Sequence, residues 1–437
     1  MVIGHYAGLL AGGERKLVGV RGAVSVLTHR TVKEITVHNK WFRFLLMLGT
    51  PFLAIALVLP ATSTGASAAS KPTYTIAYEG PLSGGNAQLG LNMEYAVELA
   101  INQANAGKSF GTLPFQLKFV PEDDQGLASV SPTAAQALIT NPSVVAVVGP
   151  AFSGATKAAE PAFNAAGLAT VSPSATAPAL ATQGWNNFFR VVADDNAQGP
   201  ADALYVKKVL KAKKVYTLDD ASAYASGLVS AFDAKAQSLG MKVKHQTVQG
   251  TTQCQEGTGD VSEYPPLASE IKSSGDPVTF YAGYYCDFAL LAKALRTQGY
   301  KGKLVSDDGS LDNHFIAEAG ARVANSTLIS CACADETKSA SATSFAKQFK
   351  TLAHFSIGTY SAEAYDATNT VISVMKSIGA NVSRTAVVSG LRTVDYKGLT
   401  KTVKFQSNGD ISGTAVYIYQ VKSGKITVLG LVSKLAK

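Results

Sequence analysis

The stretch Val144–Thr156, VVAVVGPAFSGAT, constrains the fold more than any other part of the chain. An unbroken run of small apolar and β-branched residues, cut off by Gly149-Pro150, predicts a strand buried on both faces, as parallel sheets contain. Ser153-Gly154-Ala155-Thr156 then opens a helix whose spare backbone N–H groups and hydroxyls face whatever lies above the strand end. An ordinary Ser N-cap is the commoner use of such a residue. A seat for an anion or carboxylate is the functional one.

The rest of the chain repeats the alternation. Strands are predicted at 74–78, 115–120, 144–148 and 169–172, with helices at 90–106, 133–139 and 156–166 between them. After Arg190 a second series begins, with helices at 199–210, 226–239, 266–273 and 288–298. Its strands are at 215–218, 243–248, 278–284, 304–306 and 328–333. A strand-rich tail, 402–432, carries hairpin signals at Asn408-Gly409 and Ser423-Gly424. Two alternating series in 437 residues predict α/β architecture with two doubly wound parallel sheets.

The net charge of +8 is misleading, because residues 1–43 hold seven Lys/Arg against two acidic residues. From Ser70 onward 32 basic residues face 29 acidic ones, without a Lys/Arg block, and nucleic-acid binding has no support. Lys40 and Arg43 precede a charge-free run, Phe44–Leu59, and an Ala66-Ser67-Ala68 site. This pattern predicts a secretory leader over 1–69, cleaved near Ala68 or Ala69, with a retained anchor as the alternative. The apolar run and its flank contain no Cys for lipid attachment. In an exported chain the four cysteines, Cys254, Cys286, Cys331 and Cys333, are expected to form two disulfides of open pairing. A Cys331–Cys333 bridge would be strained within a strand.

Asp pairs recur at predicted strand ends: Asp123-Asp124, Asp219-Asp220 and Asp307-Asp308. Capping of the following helix accounts for most of them. Asp308 is expected to project into a cleft and Asp307 to cap or face solvent. Tyrosines gather nearby, at Tyr224, Tyr281, Tyr284, Tyr285 and Tyr365, with Tyr281 assigned to core packing. G-x-S-x-G, P-loop, H-E-x-x-H and G-x-G-x-x-G signatures are missing, and the few histidines lack evident partners. The chain reads as a binding protein with neither enzyme chemistry nor a cofactor or metal.

In order along the chain, GPLSG at 80–84, INQANAG at 101–107, VVGPAFSGAT at 147–156, VSPSAT at 171–176 and FFRVVADDNAQGP at 188–200 form a series. YASG at 224–227, YAGYY at 281–285, AEAYDA at 362–367 and FQSNGD at 405–410 continue it. Together they resemble the type I solute-binding proteins of ABC importers, in particular the Leu/Ile/Val-binding proteins. The resemblance implies the type I periplasmic-binding-protein fold, two lobes joined by three hinge crossovers near Ala193, Ala334 and Lys404. Lobe one would be 72–193 plus 335–402, and lobe two 194–334 plus 403–437. It also implies that Ser153 and the Thr176 backbone hold a ligand carboxylate. The Ser174 carbonyl, the Thr176 hydroxyl and Asp308 would hold its ammonium, with Tyr224, Tyr284 and Tyr365 as aromatic walls.

Two departures bear on the ligand: the family's early-lobe disulfide is missing, and Leu89 stands where an aromatic residue shapes the pocket. The implied ligand is a small, branched-chain or aliphatic amino acid, and the implied partner a membrane permease, with the binding protein itself a monomer. Urea, a short amide or an aromatic acid are alternatives on the same fold. A sensory ectodomain is a further alternative, disfavoured because no second apolar span follows.

Overall fold

The structure, a computed structural model, describes residues 70–437 except 252–253, 255–259, 334–339 and 414. The leader, its cleavage site and the crossover at Ala334 lie outside the described residues. One sheet has the order β2-β1-β3-β4-β5 and is parallel throughout, from β1 (Thr73–Gly80), β2 (Gln116–Asp123), β3 (Val144–Val148), β4 (Ala169–Ser172) and β5 (Phe188–Arg190). Between these strands run α1 (Ala87–Asn105), α2 (Ser131–Thr140) and α3 (Ser153–Ala165).

All five residues of β3 are buried, as its apolar run requires. Each such valine contributes about 1.5–3 kcal/mol relative to exposure. Gly149, which ends that run, has φ +123°, and a Cβ there would stand 2.4 Å from the Glu79 carbonyl. Only glycine lets β3 turn this close to β1.

The second sheet runs β14-β13-β10-β9-β8-β6-β7. Its parallel part comprises β6 (Lys214–Asp219), β7 (Lys242–Thr247), β8 (Val278–Ala282), β9 (Lys303–Ser306) and β10 (Leu328–Cys331). Its helices are α4 (Asp195–Lys208), α5 (Ala223–Ser238), α6 (Tyr264–Ser274), α7 (Tyr285–Thr297), α8 (Asn313–Ala319) and α9 (Ala321–Ala324). After α10 (Ala340–Ala353), α11 (Ser361–Ile378) and α12 (Arg384–Leu391) the chain forms a small pair, β11 (Tyr396–Lys397) with β12 (Thr402–Val403). α11 and α12 pack back on the first sheet's helices and strands.

An antiparallel hairpin, β13 (Tyr417–Lys422) and β14 (Lys425–Leu431), then extends the second sheet beside β10, and α13 (Val432–Leu435) ends the chain. The hairpin turns at Ser423-Gly424, both with positive φ, as its sequence predicts. The sheet is therefore mixed rather than purely parallel.

In each sheet the strand order reverses once, between β1 and β3 and between β6 and β8. Crevices form where the carboxyl ends of such strands part, and both series of polar residues emerge there. No helix among the described residues is long and apolar enough to cross a membrane.

The cysteines form Cys254–Cys286 and Cys331–Cys333, with Cα separations of 5.5 and 5.1 Å, both on the second-sheet side. β10 stops at Cys331, so the close pair spans a strand end rather than a strand, which answers the geometric objection to it.

Candidate functional site

The carboxyl ends of the two sheets enclose a cavity with about 290 Å³ of empty space. Leu89, Met93, Ala151, Phe152, Ser153, Ser174 and Tyr360 line it from one side, and Tyr224, Tyr284, Asp308 and Gly309 from the other. Five of the seven candidate residues lie on its wall, and four of these come from turns directly after strands or from the helix start that follows. These are Ser153 after β3, Ser174 after β4, Tyr284 after β8 and Asp308 after β9. Tyr224, in the first turn of α5, is the fifth.

The two sides touch around the cavity. Phe152 stacks on Tyr284 with centroids 4.3 Å apart, and Tyr224 lies 5.4 Å from Tyr284. The Tyr360 hydroxyl donates to Asp308 Oδ2 at 2.7 Å, and the Asn92 amide to Asp312 Oδ2 at 3.1 Å. The Asn86 amide donates to the Cys254 carbonyl at 2.8 Å, beside the disulfide. These bonds describe a closed arrangement.

Asp308 is 3% exposed and is the best-solvated carboxylate of this wall in hydrogen-bond terms. Its Oδ1 accepts from Gln198 Nε2 at 2.7 Å and Tyr224 OH at 2.8 Å, in addition to the Tyr360 bond on Oδ2. Burial raises its pKa, and these three donors oppose the rise. Asp307 is fully buried, against the expectation that it caps or faces solvent. Its Oδ2 accepts from Gly283 N at 2.9 Å, and burial together with the Asp308 charge holds its pKa well above the usual range.

Two further buried carboxyls stand behind them on α4. Asp202 accepts from Ser330 Oγ at 2.8 Å, and Gln198 also donates to that hydroxyl at 3.0 Å. Burial raises the pKa of Asp195 and of Asp202 well above the usual range, and repulsion from Asp308 adds to both. Neighbouring carboxyls cannot all ionise in a dry site. The donors converge on Asp308, which makes it the acid of the four best provided to hold a charge.

The opposite wall is made of hydroxyl and backbone groups. Phe152, not Ser153, is the N-cap of α3, and Ser153 is its first helical residue. Ser153 Oγ accepts from Ala177 N at 3.2 Å, pinning the loop after β4 to the helix start. Ser174 Oγ donates to the Ala151 carbonyl at 2.7 Å. Thr176 is fully buried and is not on the cavity wall; its carbonyl accepts from Asp195 N at 3.1 Å.

Tyr365 does not reach the cavity. Its ring packs 4.9 Å from Phe345 and its hydroxyl donates to Gln103 Oε1. Tyr360 replaces it, because it precedes α11 with φ +66° and so turns toward Asp308. Tyr281 stacks on Phe288 in the core, as expected. The other Asp pairs do not cap helices. Ser222 caps α5, whereas Asp219 accepts from His245, Thr247 and Ser226, and Asp123 binds Leu82 N and Ser83.

Sequence reasoning missed Phe152, Met93, Tyr360 and Gln198. A signal for the last was present: Asp195, Gln198 and Asp202 recur at helical spacing on one face of α4, a polar stripe where a core stripe is normal.

A family profile described as periplasmic binding protein matches residues 73–425. The Leu/Ile/Val-binding protein homolog 3 of Brucella melitensis is 27% identical over 373 residues, 84% of this chain and 97% of that protein. A protein of Pseudomonas aeruginosa described as amino acid binding protein is 28% identical over 256 residues, 59% of this chain and 66% of that one. Among solved structures, the branched-chain amino acid transporter substrate binding protein LivJ from Streptococcus pneumoniae, in complex with isoleucine, superposes with a TM-score of 0.73. It is 25% identical, over 82% of this chain and 99% of LivJ. A solute binding protein of an ABC transporter from R. palustris, in complex with benzoate, gives 0.72 at 20% identity, over 82% and 96%.

Proposed function

The chain belongs to the periplasmic binding protein family, and from that premise we propose that it captures a small amino acid for an ABC importer. The ligand lies in the cavity between the sheets and is branched-chain or aliphatic. The observation that carries this reading is the opposite polarity of the two walls across a small, largely apolar space. Ser153 and the amino end of α3 suit a carboxylate, since a helix start offers unpaired N–H groups and a favourable dipole. Asp308 suits an ammonium. An ionised carboxylate accepts about four hydrogen bonds. Asp308 receives three, which leaves one position. Leu89, Met93 and the aromatic rings then receive the side chain.

An aromatic acid is the second reading, and the Phe152–Tyr284 stack favours it as a flat slot. The buried charge on Asp308 opposes a ligand bearing only a carboxylate. A thermal-shift screen over amino acids, amides and aromatic acids separates the two. A ligand at a hundred times its dissociation constant adds about 2.7 kcal/mol of stability. Stabilisation by benzoate alone would overturn the amino-acid reading.

The two sides, one built on each sheet, close as lobes, with the permease receiving the closed form. The turn at 406–410 stays with the first sheet, since Arg190 N donates to Gly409 O at 3.0 Å and Arg190 Nε binds Asp410 at 2.6 Å. These bonds support a last crossing after Ile411 in place of one near Lys404. Rotation about these crossings predicts a smaller radius of gyration in the liganded protein by small-angle scattering. An unchanged radius at saturation would refute the hinge.

A further inference from the structure

The second sheet separates its charge. Asp219, Asp220, Asp307 and Asp308 stand at the carboxyl ends of its parallel strands, toward the cavity. At the opposite end, where those strands begin, the exposed residues include six cations. Lys213 precedes β6, Lys242 opens β7, Lys272 lies in the last turn of α6, Lys303 opens β9, Arg322 precedes β10 and Lys425 opens β14. None of the six has a carboxylate partner among the described residues. The connections at this end contain one acidic residue, Asp276, which is buried beside Lys214 at 3.8 Å, and Glu270 of α6 is paired with Lys244 at 2.7 Å.

Helix C-termini favour cations, which accounts for Lys272 and Arg296. It does not account for lysines that open strands or flank a hairpin turn. The first sheet supplies the control. Its helices α1, α2 and α3 end without a basic residue, and the connections leading into β2–β5 hold Lys108 alone. Cations from other segments do reach this end of the first sheet, but they are spent on carbonyls: Lys71 on Leu113, Lys376 on Phe110, Arg384 on Val144 and Arg392 on Asn186.

The basic end also contains a recess. Arg296, Thr297, Tyr300, Lys301, Arg322 and Val323 surround about 890 Å³ of empty space without an acidic residue. Arg296 is held in place: Nη1 donates to the carbonyls of Tyr300 and Gly302, at 2.8 and 3.1 Å, and the guanidinium lies 5.8 Å from the Tyr300 ring. Its remaining N–H groups have no acceptor among the described residues, and such a planar fork suits a phosphoryl group.

We propose that this basal face of the second sheet docks on the anionic headgroup plane of a membrane, with phosphodiester groups entering the Arg296 recess. Strand spacing makes the seven-strand edge roughly 30 Å wide. Cations spread over that width fit a surface better than a single small anion. The face lies at the far end of the strands from the cavity, so docking leaves the cavity clear. The proposal is independent of which solute is bound.

The test is sedimentation of the full chain with vesicles of equal parts phosphatidylglycerol and phosphatidylcholine, against phosphatidylcholine alone. The neutral vesicles account for any insertion of Phe44–Leu59, and the two variants below, which both keep the seven Lys/Arg of residues 1–43, account for that segment's charge. Preference for the anionic vesicles is expected at roughly 0.1 M salt and lost at about 1 M, where the screening length falls to about 3 Å. Replacing Lys301, Lys303, Arg322 and Lys425 by Gln should weaken that preference about fivefold per charge. Replacing Lys157, Lys347, Lys350 and Lys397 by Gln removes equal charge from exposed positions elsewhere and should leave it intact. Both variants should keep the parent's thermal midpoint within a few degrees. Equal binding to both vesicle types, or an equal loss in the second variant, would overturn the proposal. Binding to soluble polyphosphate but not to vesicles would overturn the membrane assignment as well.

Discussion

The two walls of the cavity are built at the same place in two similar sheets, yet from opposite chemistry. The first-sheet wall has no carboxylate on the cavity; it offers Ser153, Ser174 and a helix start. The second-sheet wall offers Asp308 inside a cage of phenols and an amide, backed by buried Asp307, Asp195 and Asp202. The disulfides lie only behind this second wall. A wall of backbone and hydroxyl dipoles needs no charge balance. A wall with one ionised carboxylate must hold neighbouring acids neutral and surround the charged one with donors, which demands a stiffer frame.

The largest effect should come from removing that charge. Asp308→Asn should cost about 2–5 kcal/mol in binding of the best amino acid, measured by calorimetry. Parent-like affinity would end the idea of opposed walls. Asp307→Asn, by contrast, should leave affinity nearly unchanged while lowering stability, because the residue is buried and its bond to Gly283 N is altered.

Next comes the frame. The Cys254–Cys286 bridge closes 32 residues and the Cys331–Cys333 bridge two. Chain entropy gives the first roughly 3–4 kcal/mol of stability and the second less than half of that. Urea midpoints of the two Cys-to-Ser double variants test the ranking, and equal losses would show that loop length is not what matters here.

Tyr360→Phe removes one donor to an ionised group and should weaken amino-acid binding by about 1.5–3 kcal/mol. Tyr365→Phe should leave it unchanged, since that hydroxyl is spent on Gln103. The reverse ranking would return Tyr365 to the site.

A last effect, on stability rather than on binding, is graded with pH and appears on both sides. Burial raises Asp124, beside the first sheet, to about 7 and Asp220, beside the second, to about 7. Each keeps a proton in the fold that the unfolded chain releases near pH 4. Their contribution to stability is present at acidic pH and declines as pH rises toward 7, by about 1.4 kcal/mol per unit for each group. Asp124→Asn and Asp220→Asn should each flatten the slope of unfolding free energy against pH by one proton. An unaltered slope would mean that the carboxyl is ionised in the fold.

Much of this was legible in the chain, for identifiable reasons. The VVAVV run and the alternation around it specify buried parallel strands, because period and burial are local properties. Position directly after a strand places Ser153, Ser174, Tyr284 and Asp308 at the cleft without knowledge of any partner. What failed depended on partners. Asp308 is singled out from its neighbour in the chain, but Asp307, expected to cap or face solvent, is buried behind it on Gly283 N. Tyr365 and Tyr360 lie on the same helix and its cap. The choice between them rests on the left-handed turn at Tyr360 and on where α11 packs.

By itself, then, the sequence determined two α/β series, the strand ends that face each other and the residue types waiting there. Hydrophobic periodicity and turn chemistry act within a few residues and leave a readable mark. The tertiary structure alone decided which groups surround Asp308, which tyrosine closes the cavity and which cysteines pair. Those outcomes depend on donors, rings and sulfurs from distant segments meeting within a few ångströms in a site that excludes water.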